Sequence, residues 1–335
     1  MKPLVLAVTP GDPDGIGPEV VSKTLKKYEA ARRTSVRFLC VGAIEPFLKL
    51  RFPFQPVSLA QVQGNTLDWN SGRIFFLAAP SIHDKKANPG FQSGWSIETA
   101  TQLVLSGICN ALVTGPISKE RLQKGGYLFS GHTDFLATLC KSNETMMLAN
   151  NQLRVSLVTV HLSLHSVSKQ LTRAKIRKTA ENTLFALKNW WGISKPKIAV
   201  LALNPHAGEA GLFGDEEKKV IQPEILALSQ KYKNQAVFQG PFPADTFFAL
   251  ENMRAKKDRF DAVIAMYHDQ GLIPVKLLDF SNTVNITLGL PMIRTSVDHG
   301  VAFDIAGQNR ADSSSFKAAT DLAIQLVKIR HKGTL

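Results

Sequence analysis

The chain has 335 residues, enough for one large or two ordinary domains, and its 44% hydrophobic and 20% charged content is that of a folded globular protein, which excludes a disordered chain. A formal charge of +13 invites a nucleic-acid reading, but the Lys and Arg residues are scattered along helix-like segments without interleaved aromatics; no nucleic-acid partner is expected, and the excess serves a solvated surface or draws in an anionic substrate and cofactor. The apolar runs are too short to span a bilayer, and Pro10 breaks the first before a signal-peptide core forms, so neither membrane association nor export is expected and a cytoplasmic location follows.

In chain order, LVLAVT reads as a strand, followed by a helix from Pro18 to about Arg33 with Val20, Val21, Leu25 and Tyr28 on its apolar face, and then by the strand VRFLCVG. Between the first two lies TPGDPDGIGPEV, residues 9–20, whose three glycines suit either a structural turn or close backbone approach by an anion or a nicotinamide ring. Residues 51–94 are rich in Pro, Gly and Gln and read as loops, short strands and turns. A helix from about Ser96 to Cys109 precedes ALVTGP, completing βαβ grammar. From about residue 130 the pattern resumes, with a helix near Thr172 to Asn189 (Ile176, Ala180, Leu184 and Leu187 at helical spacing) and a last one from Ser314 to about Ile329. Cys40, Cys109 and Cys140 are odd in number and widely separated, as reduced core thiols would be.

Three of the eight histidines stand just past short apolar runs: His161 after RVSLVTV, His206 after KIAVLALNP and His268 after DAVIAMY. Such runs read as parallel strands buried on both faces, which gathers the three imidazoles along the carboxyl edge of a sheet, where α/β proteins bind ligands. Three neutral imidazoles make a common ligand set for a divalent transition metal. His165 competes with His161, four residues on in HLSLH; His161 is preferred because it follows the run directly and no helix-start signal comes after it. His83, His132, His165, His299 and His331 follow no such run, and His331 lies in a basic, solvated tail.

Further groups suited to a small anionic ligand are His132 and Thr133 in GHTDFLA, Asp245 in FPADTFF, and Lys276, Asn285 and Arg294 in the block after His268. Beside a metal, they describe a small, hydroxylated, anionic substrate.

In order, GDPDGIGPE, LVTGPISK, GHTDFLA, HLSLH, LNPHAGEAG, PADT, AMYHDQG and NITLGLPMIRTSVDHGVAFDIAG resemble the motifs of the 4-hydroxythreonine-4-phosphate dehydrogenase family, over nearly the whole chain. The resemblance implies NAD- or NADP-dependent, metal-dependent oxidation of 4-phosphooxy-L-threonine in pyridoxal phosphate biosynthesis. The product, 2-amino-3-oxo-4-phosphooxybutanoate, would decarboxylate to 3-amino-2-oxopropyl phosphate. It implies metal ligands at His161, His206 and His268 (zinc, magnesium, manganese or cobalt) and substrate contacts at His132, Thr133, Lys276, Asn285 and Arg294. Lys276 and Asp245 are the candidate proton carriers, a metal-bound water being the alternative. It further implies a homodimer whose active sites draw on both subunits, so the ligands need not all come from one chain.

The family shares its fold with the isocitrate and isopropylmalate dehydrogenases. Two intimate α/β/α subdomains are therefore expected, residues 1–128 with 301–335 and residues 129–300, with the active site in the cleft between them. HGVAFDIAG resembles the loop on which those enzymes seat adenosine, so the resemblance puts the cofactor near His299, Gly300, Ala302, Asp304 and Asn309. The chain departs from the family pattern at Asp14, where a small residue is usual, and in HLSLHSV. A phosphorylated four-carbon sugar acid stays open as substrate, and a metal-dependent hydrolase or lyase is the competing use of the same histidines.

Overall fold

The computed structural model describes residues 3–31, 35–64, 66–81 and 88–332. His83 and the expected end of the first helix at Arg33 lie outside them. The chain divides into two compact units, residues 1–142 with 290–328 and residues 143–289 with 329–335. Residues 129–142 and 290–300 thus belong with the first unit, which holds His132, Thr133 and Arg294, while the three candidate metal ligands are all in the second.

The first unit contains β1 (Leu4–Thr9), α1 (Gly17–Ala30), β2 (Val36–Gly42), α2 (Glu45–Lys49), β3 (Gln55–Val57), α3 (Leu59–Gln63), β4 (Ile74–Ala78), α4 (Pro89–Leu105), β5 (Ala111–Thr114), α5 (Lys119–Lys124) and α6 (His132–Cys140). The second contains β6 (Thr145–Ala149), β7 (Arg154–Leu157), α7 (Leu164–Gln170), α8 (Arg173–Asn189), β8 (Lys197–Leu201), α9 (Gln222–Lys231), β9 (Val237–Phe242), α10 (Ala244–Met253), β10 (Ala262–Ala265), α11 (His268–Leu278) and β11 (Val284–Leu288). β12 (Ile293–Ser296) returns to the first unit, and α12 (Ser314–Lys332) ends the described chain.

Within the first unit the strand order is β3-β4-β2-β1-β5-β12, all pairs parallel. Within the second it is β11-β6-β7-β10-β8-β9, parallel from β7 to β9 and antiparallel where β6 meets β11 and β7. Alternate residues of the second unit's strands, Val155 and Leu157, Ala199 and Leu201, Val263 and Ala265, join Leu272 and Val275 of α11 in one apolar core. Burial on both faces leaves these strands continuously apolar, which is why they stand out in the sequence.

The elements differ from the sequence reading in instructive places. α4 starts at Pro89 and ends at Leu105, displaced toward the N-terminus from the expected 96–109. Asn88 caps it by accepting from Phe91 N at 2.9 Å, and Pro89 supplies the first turn. The helix packs on β1, β2, β5, α5 and α6, so it is buried nearly all round and shows no amphipathic stripe. α3 is a helix where loops and strands were expected, set off by a reciprocal capping box between Ser58 and Gln61. α7 begins just after His161, with Ser163 at its N-cap, so a helix start does follow His161; His165 sits in the helix while His161 precedes it. Cys40 and Cys109 are free and buried and Cys140 is half-buried; burial pushes the Cys109 thiol up to about 12.

Candidate active site

Strands β7, β10 and β8 are neighbours and parallel, with β10 in the middle, so the segments carrying His161, His268 and His206 leave the sheet at one edge. Beyond the last ladder residues the chains stay paired: Val158 N donates to Ala265 O at 2.9 Å and Thr159 N to Met266 O at 3.2 Å. Gln270, 8% exposed, continues the joint. Its Oε1 accepts from Met266 N and its Nε2 donates to Ala202 O, both at 2.7 Å, linking the ends of β10 and β8.

This edge brings His161 and His268 together, their ring centroids 5.9 Å apart. Two imidazoles sharing one ion through nitrogens ~2.1 Å from it would hold their centroids roughly 5–6 Å apart, a separation that this pair has. His268 is the first residue of α11, and its Nδ1 donates to Asp269 Oδ1 at 2.7 Å. A carboxylate on one ring nitrogen fixes the tautomer and leaves Nε2 with the lone pair a metal needs. His165 instead meets Lys169 Nζ at 3.3 Å on α7.

His206 does not complete a trio within the chain: among the described residues no three His, Cys, Asp or Glu side chains are grouped to hold a metal ion. His206, Ala207, Gly208, Glu209 and Ala210 have φ of 53, 53, 78, 41 and 58°, a run of left-handed residues, and this turn sets the His206 ring 6.0 Å from that of Phe213. Left-handed geometry costs an L-residue ~1–2 kcal/mol and persists only where surroundings over-determine it. Asn204, Glu216 and Glu217 lie against this turn; the sequence places carboxylates near His206 without marking which of them is buried.

Of the two candidate proton carriers, Asp245 is exposed in the first turn of α10, just after β9, the strand beside β8. Lys276 lies two turns along α11 from His268, about 12 Å of helical rise, with its Nζ 5.7 Å from the Phe280 ring centre. Asn285, on β11, has a buried Oδ1 without a partner among the described residues.

In the first unit, His132 and Thr133 open α6, whose first N–H groups are available to an anion. The buried His132 Nε2 has no partner among the described residues. Burial first, then the charge of Arg294, hold the His132 imidazole well below its usual range. Arg294 on β12 is 2% exposed, donates from Nη2 to Thr114 Oγ1 at 2.7 Å, and is pushed down to about 9 by burial. A buried cation beside a neutral imidazole donor and a helix start suits an anionic group such as a phosphate.

The loop with the five candidate cofactor residues packs on the glycine-rich turn of the same unit: Ile16 N donates to Val301 O at 2.9 Å. Lys23 Nζ donates to the carbonyls of Asn309 and Ala311 at 3.0 and 2.8 Å, and Glu19 accepts from Ala311 N at 2.8 Å. Ala302 and Asn309 are left-handed at φ 42 and 59°; Asp304 is exposed, and a Cβ on Gly300 would meet nothing within 4 Å. His299 Nδ1 donates to Gly300 O at 2.9 Å while its buried Nε2 has no partner among the described residues, an orphaned polar atom that fits a ligand-binding loop. The nearby glycines serve the chain itself, since a Cβ on Gly17 would fall 1.9 Å from Pro10 O. Asp14 is paired with Arg121 at 2.6 Å, and Arg121 lies 4.4 Å from the centre of the Phe303 ring.

The largely parallel α/β fold is also that of a β-decarboxylating dehydrogenase from Thermococcus kodakarensis, which superposes with a TM-score of 0.50 at 13% identity, covering 98% of this chain and 85% of that one. The family model described as pyridoxal phosphate biosynthetic protein PdxA matches residues 48–323. A 4-hydroxythreonine-4-phosphate dehydrogenase of Desulfosudis oleivorans is 43% identical over 96% of both chains. A D-threonate 4-phosphate dehydrogenase of Pectobacterium atrosepticum is 38% identical over 96% of this chain and 99% of its own. The crystal structure of a 4-hydroxythreonine-4-phosphate dehydrogenase from Klebsiella pneumoniae superposes with a TM-score of 0.82 at 35% identity, covering 97% of this chain and 99% of that one. The chain belongs to the PdxA family. No helix among the described residues is long and apolar enough to cross a membrane.

Proposed function

We propose that the protein oxidises the secondary hydroxyl of 4-phosphooxy-L-threonine with NAD or NADP, assisted by a divalent metal, and that the resulting β-keto acid loses carbon dioxide to give 3-amino-2-oxopropyl phosphate. The observation that carries this reading is the alignment of three histidine-bearing strand ends on one sheet edge, with the His161 and His268 rings 5.9 Å apart. Family membership supports dehydrogenase chemistry over hydrolysis or lysis.

When bound, the metal supplies Lewis-acid polarisation of the substrate hydroxyl and the nicotinamide accepts the hydride. The chain's own residues do the rest. His161 and His268 hold the metal through neutral nitrogens, with Asp269 fixing the His268 tautomer. His206 is the third ligand, contributed by the second subunit of a homodimer with shared sites.

Arg294, His132 and Thr133 take the phosphate end, and that remote binding energy orients the reacting carbon; Asn285 is a further substrate contact. Lys276 or Asp245 receives the hydroxyl proton, on Nζ or on a carboxylate oxygen. His299, Gly300, Ala302, Asp304 and Asn309 seat the cofactor.

D-threonate 4-phosphate is the second reading, favoured by the 38% identical relative named for it. The two substrates share the phosphate and the secondary alcohol and differ at the neighbouring carbon, amine against hydroxyl. NADH formation followed with each substrate, after chelation and re-addition of single metals, tests both readings. Absence of turnover with either, in the presence of metal and both cofactors, would overturn the proposal.

A further inference from the structure

The turn that carries His206 is held from behind by three side chains. Glu217, 5% exposed, accepts through Oε1 from the backbone N–H groups of Leu203 and Asn204, both at 2.8 Å, where the chain leaves β8. Its Oε2 accepts from Asn204 Nδ2 at 2.9 Å. The same Asn204 amide donates to Glu216 Oε2 at 2.7 Å, and Glu216 accepts in turn from Ser168 Oγ of α7, the helix that follows His161.

The left-handed run lies directly against this carboxylate: a Cβ on Gly208 would stand 2.6 Å from Glu217 Oε2 and 3.1 Å from Gly214 O. Four of the five left-handed residues, His206, Ala207, Glu209 and Ala210, are not glycine, so the conformation is imposed by its surroundings. The buried carboxylate fixes the two peptide groups leading into the turn and shapes the space its middle must fill.

We propose that Glu217, acting with Asn204, is a positioning residue for His206: it holds the left-handed turn and so sets the placement of the third imidazole toward the metal. This rests on the reading of His206 as a metal ligand. Glu217 is not itself a ligand, because its oxygens are committed to Leu203, Asn204 and the Asn204 amide. Groups that fix the orientation of a metal ligand typically account for about 10- to 100-fold in metal affinity; Glu217 acts through the backbone of the turn and not by a bond to the His206 ring.

The test is titration of metal-free full-length enzyme with Co2+, followed by its visible absorption, in wild type, Glu217→Ala, Glu217→Gln, Asn204→Ala and His206→Ala. Hydrogen exchange at the Leu203 and Asn204 amides is measured without metal. Gln at 217 keeps a carbonyl for the two backbone donors but turns an NH2 toward the Asn204 amide, so its Co2+ affinity should fall between wild type and Glu217→Ala. Glu217→Ala should bind Co2+ about 10- to 100-fold more weakly, with a shifted visible spectrum and faster exchange at both amides.

Asn204→Ala keeps both backbone bonds and supplies the same readout should Glu217→Ala fail to fold. If His206→Ala loses Co2+ affinity while Glu217→Ala and Asn204→Ala retain wild-type affinity and spectrum, the positioning role is wrong and the metal reading stands. If His206→Ala binds Co2+ as wild type does, the metal reading fails at that residue and the inference falls with it.

Discussion

Arg294→Met separates what the buried guanidinium does for the fold from what it does for a ligand. Arg294 is 2% exposed and burial alone pushes its pKa from 12.5 down to about 9; at 1.36 kcal/mol per pH unit, the charge is held in the free protein at a cost of up to about 5 kcal/mol. The sign follows from proton counting: between about pH 9 and 12.5 the unfolded chain keeps the proton and the folded one releases it, so stability gained from this group rises across that window. At neutral pH both states are charged and the cost is constant. Methionine fills similar volume without the charge and gives up the bond to Thr114 Oγ1. The free variant should therefore be as stable as wild type in urea or more stable, by up to about 1–4 kcal/mol.

Phosphate should tell the opposite story. A lost charge-assisted contact of ~1.5–3 kcal/mol lowers kcat/KM for the phosphorylated substrate roughly ten- to a hundredfold. The unphosphorylated alcohol should be used equally well by both enzymes. Inorganic phosphate should raise the melting temperature of wild type and leave the variant unmoved. Retention by Arg294→Met of the wild-type preference for the phosphorylated substrate, or strong destabilisation of that variant at neutral pH, would rule out this role for Arg294.

Three further outcomes are expected. The His132 imidazole is held well below 6.5 by burial and by Arg294. The unfolded chain therefore takes up a proton near that pH that the folded one refuses, and stability should decline as pH falls below it; His132→Gln should lessen the decline, and the NMR titration midpoint of His132 should rise in Arg294→Met. Asp269→Ala removes the acceptor for His268 Nδ1 and should weaken Co2+ binding at least about tenfold by spectroscopic titration, an unchanged affinity counting against His268 as a ligand through Nε2. Gln270→Ala leaves Met266 N and Ala202 O unpaired in a buried joint and should cost about 2–4 kcal/mol in urea unfolding; a loss under 1 kcal/mol would mean the strand ends re-pair without it.

The legible parts of the fold were those where burial leaves a one-dimensional trace. β7, β8 and β10 are buried on both faces and so read as continuous apolar runs, and the histidines that end those runs could be picked out by position alone. α8 and α12 keep their apolar residues at helical spacing, with Ile176, Ala180, Phe316 and Ala319 fully buried. α4 was misplaced because near-complete burial removes the amphipathic signal, although Asn88 and Pro89 marked its start. Glu217 was invisible for a different reason: in DEEKK a buried carboxylate looks like any solvated charge.

Local preference and burial pattern, both properties of the chain itself, determined which segments are strands, which residues follow them, and which motifs place the chain in its family. Tertiary structure decided what those residues meet. Order β7-β10-β8 was needed to make His161 and His268 neighbours, and β12 had to run beside β5 to join Arg294 to Thr114. At the left-handed turn of His206, Asn204, ahead of it, and Glu216 and Glu217, beyond it, close over the same few peptides. Such contacts depend on how the backbone returns through space, and composition and periodicity carry no record of that return.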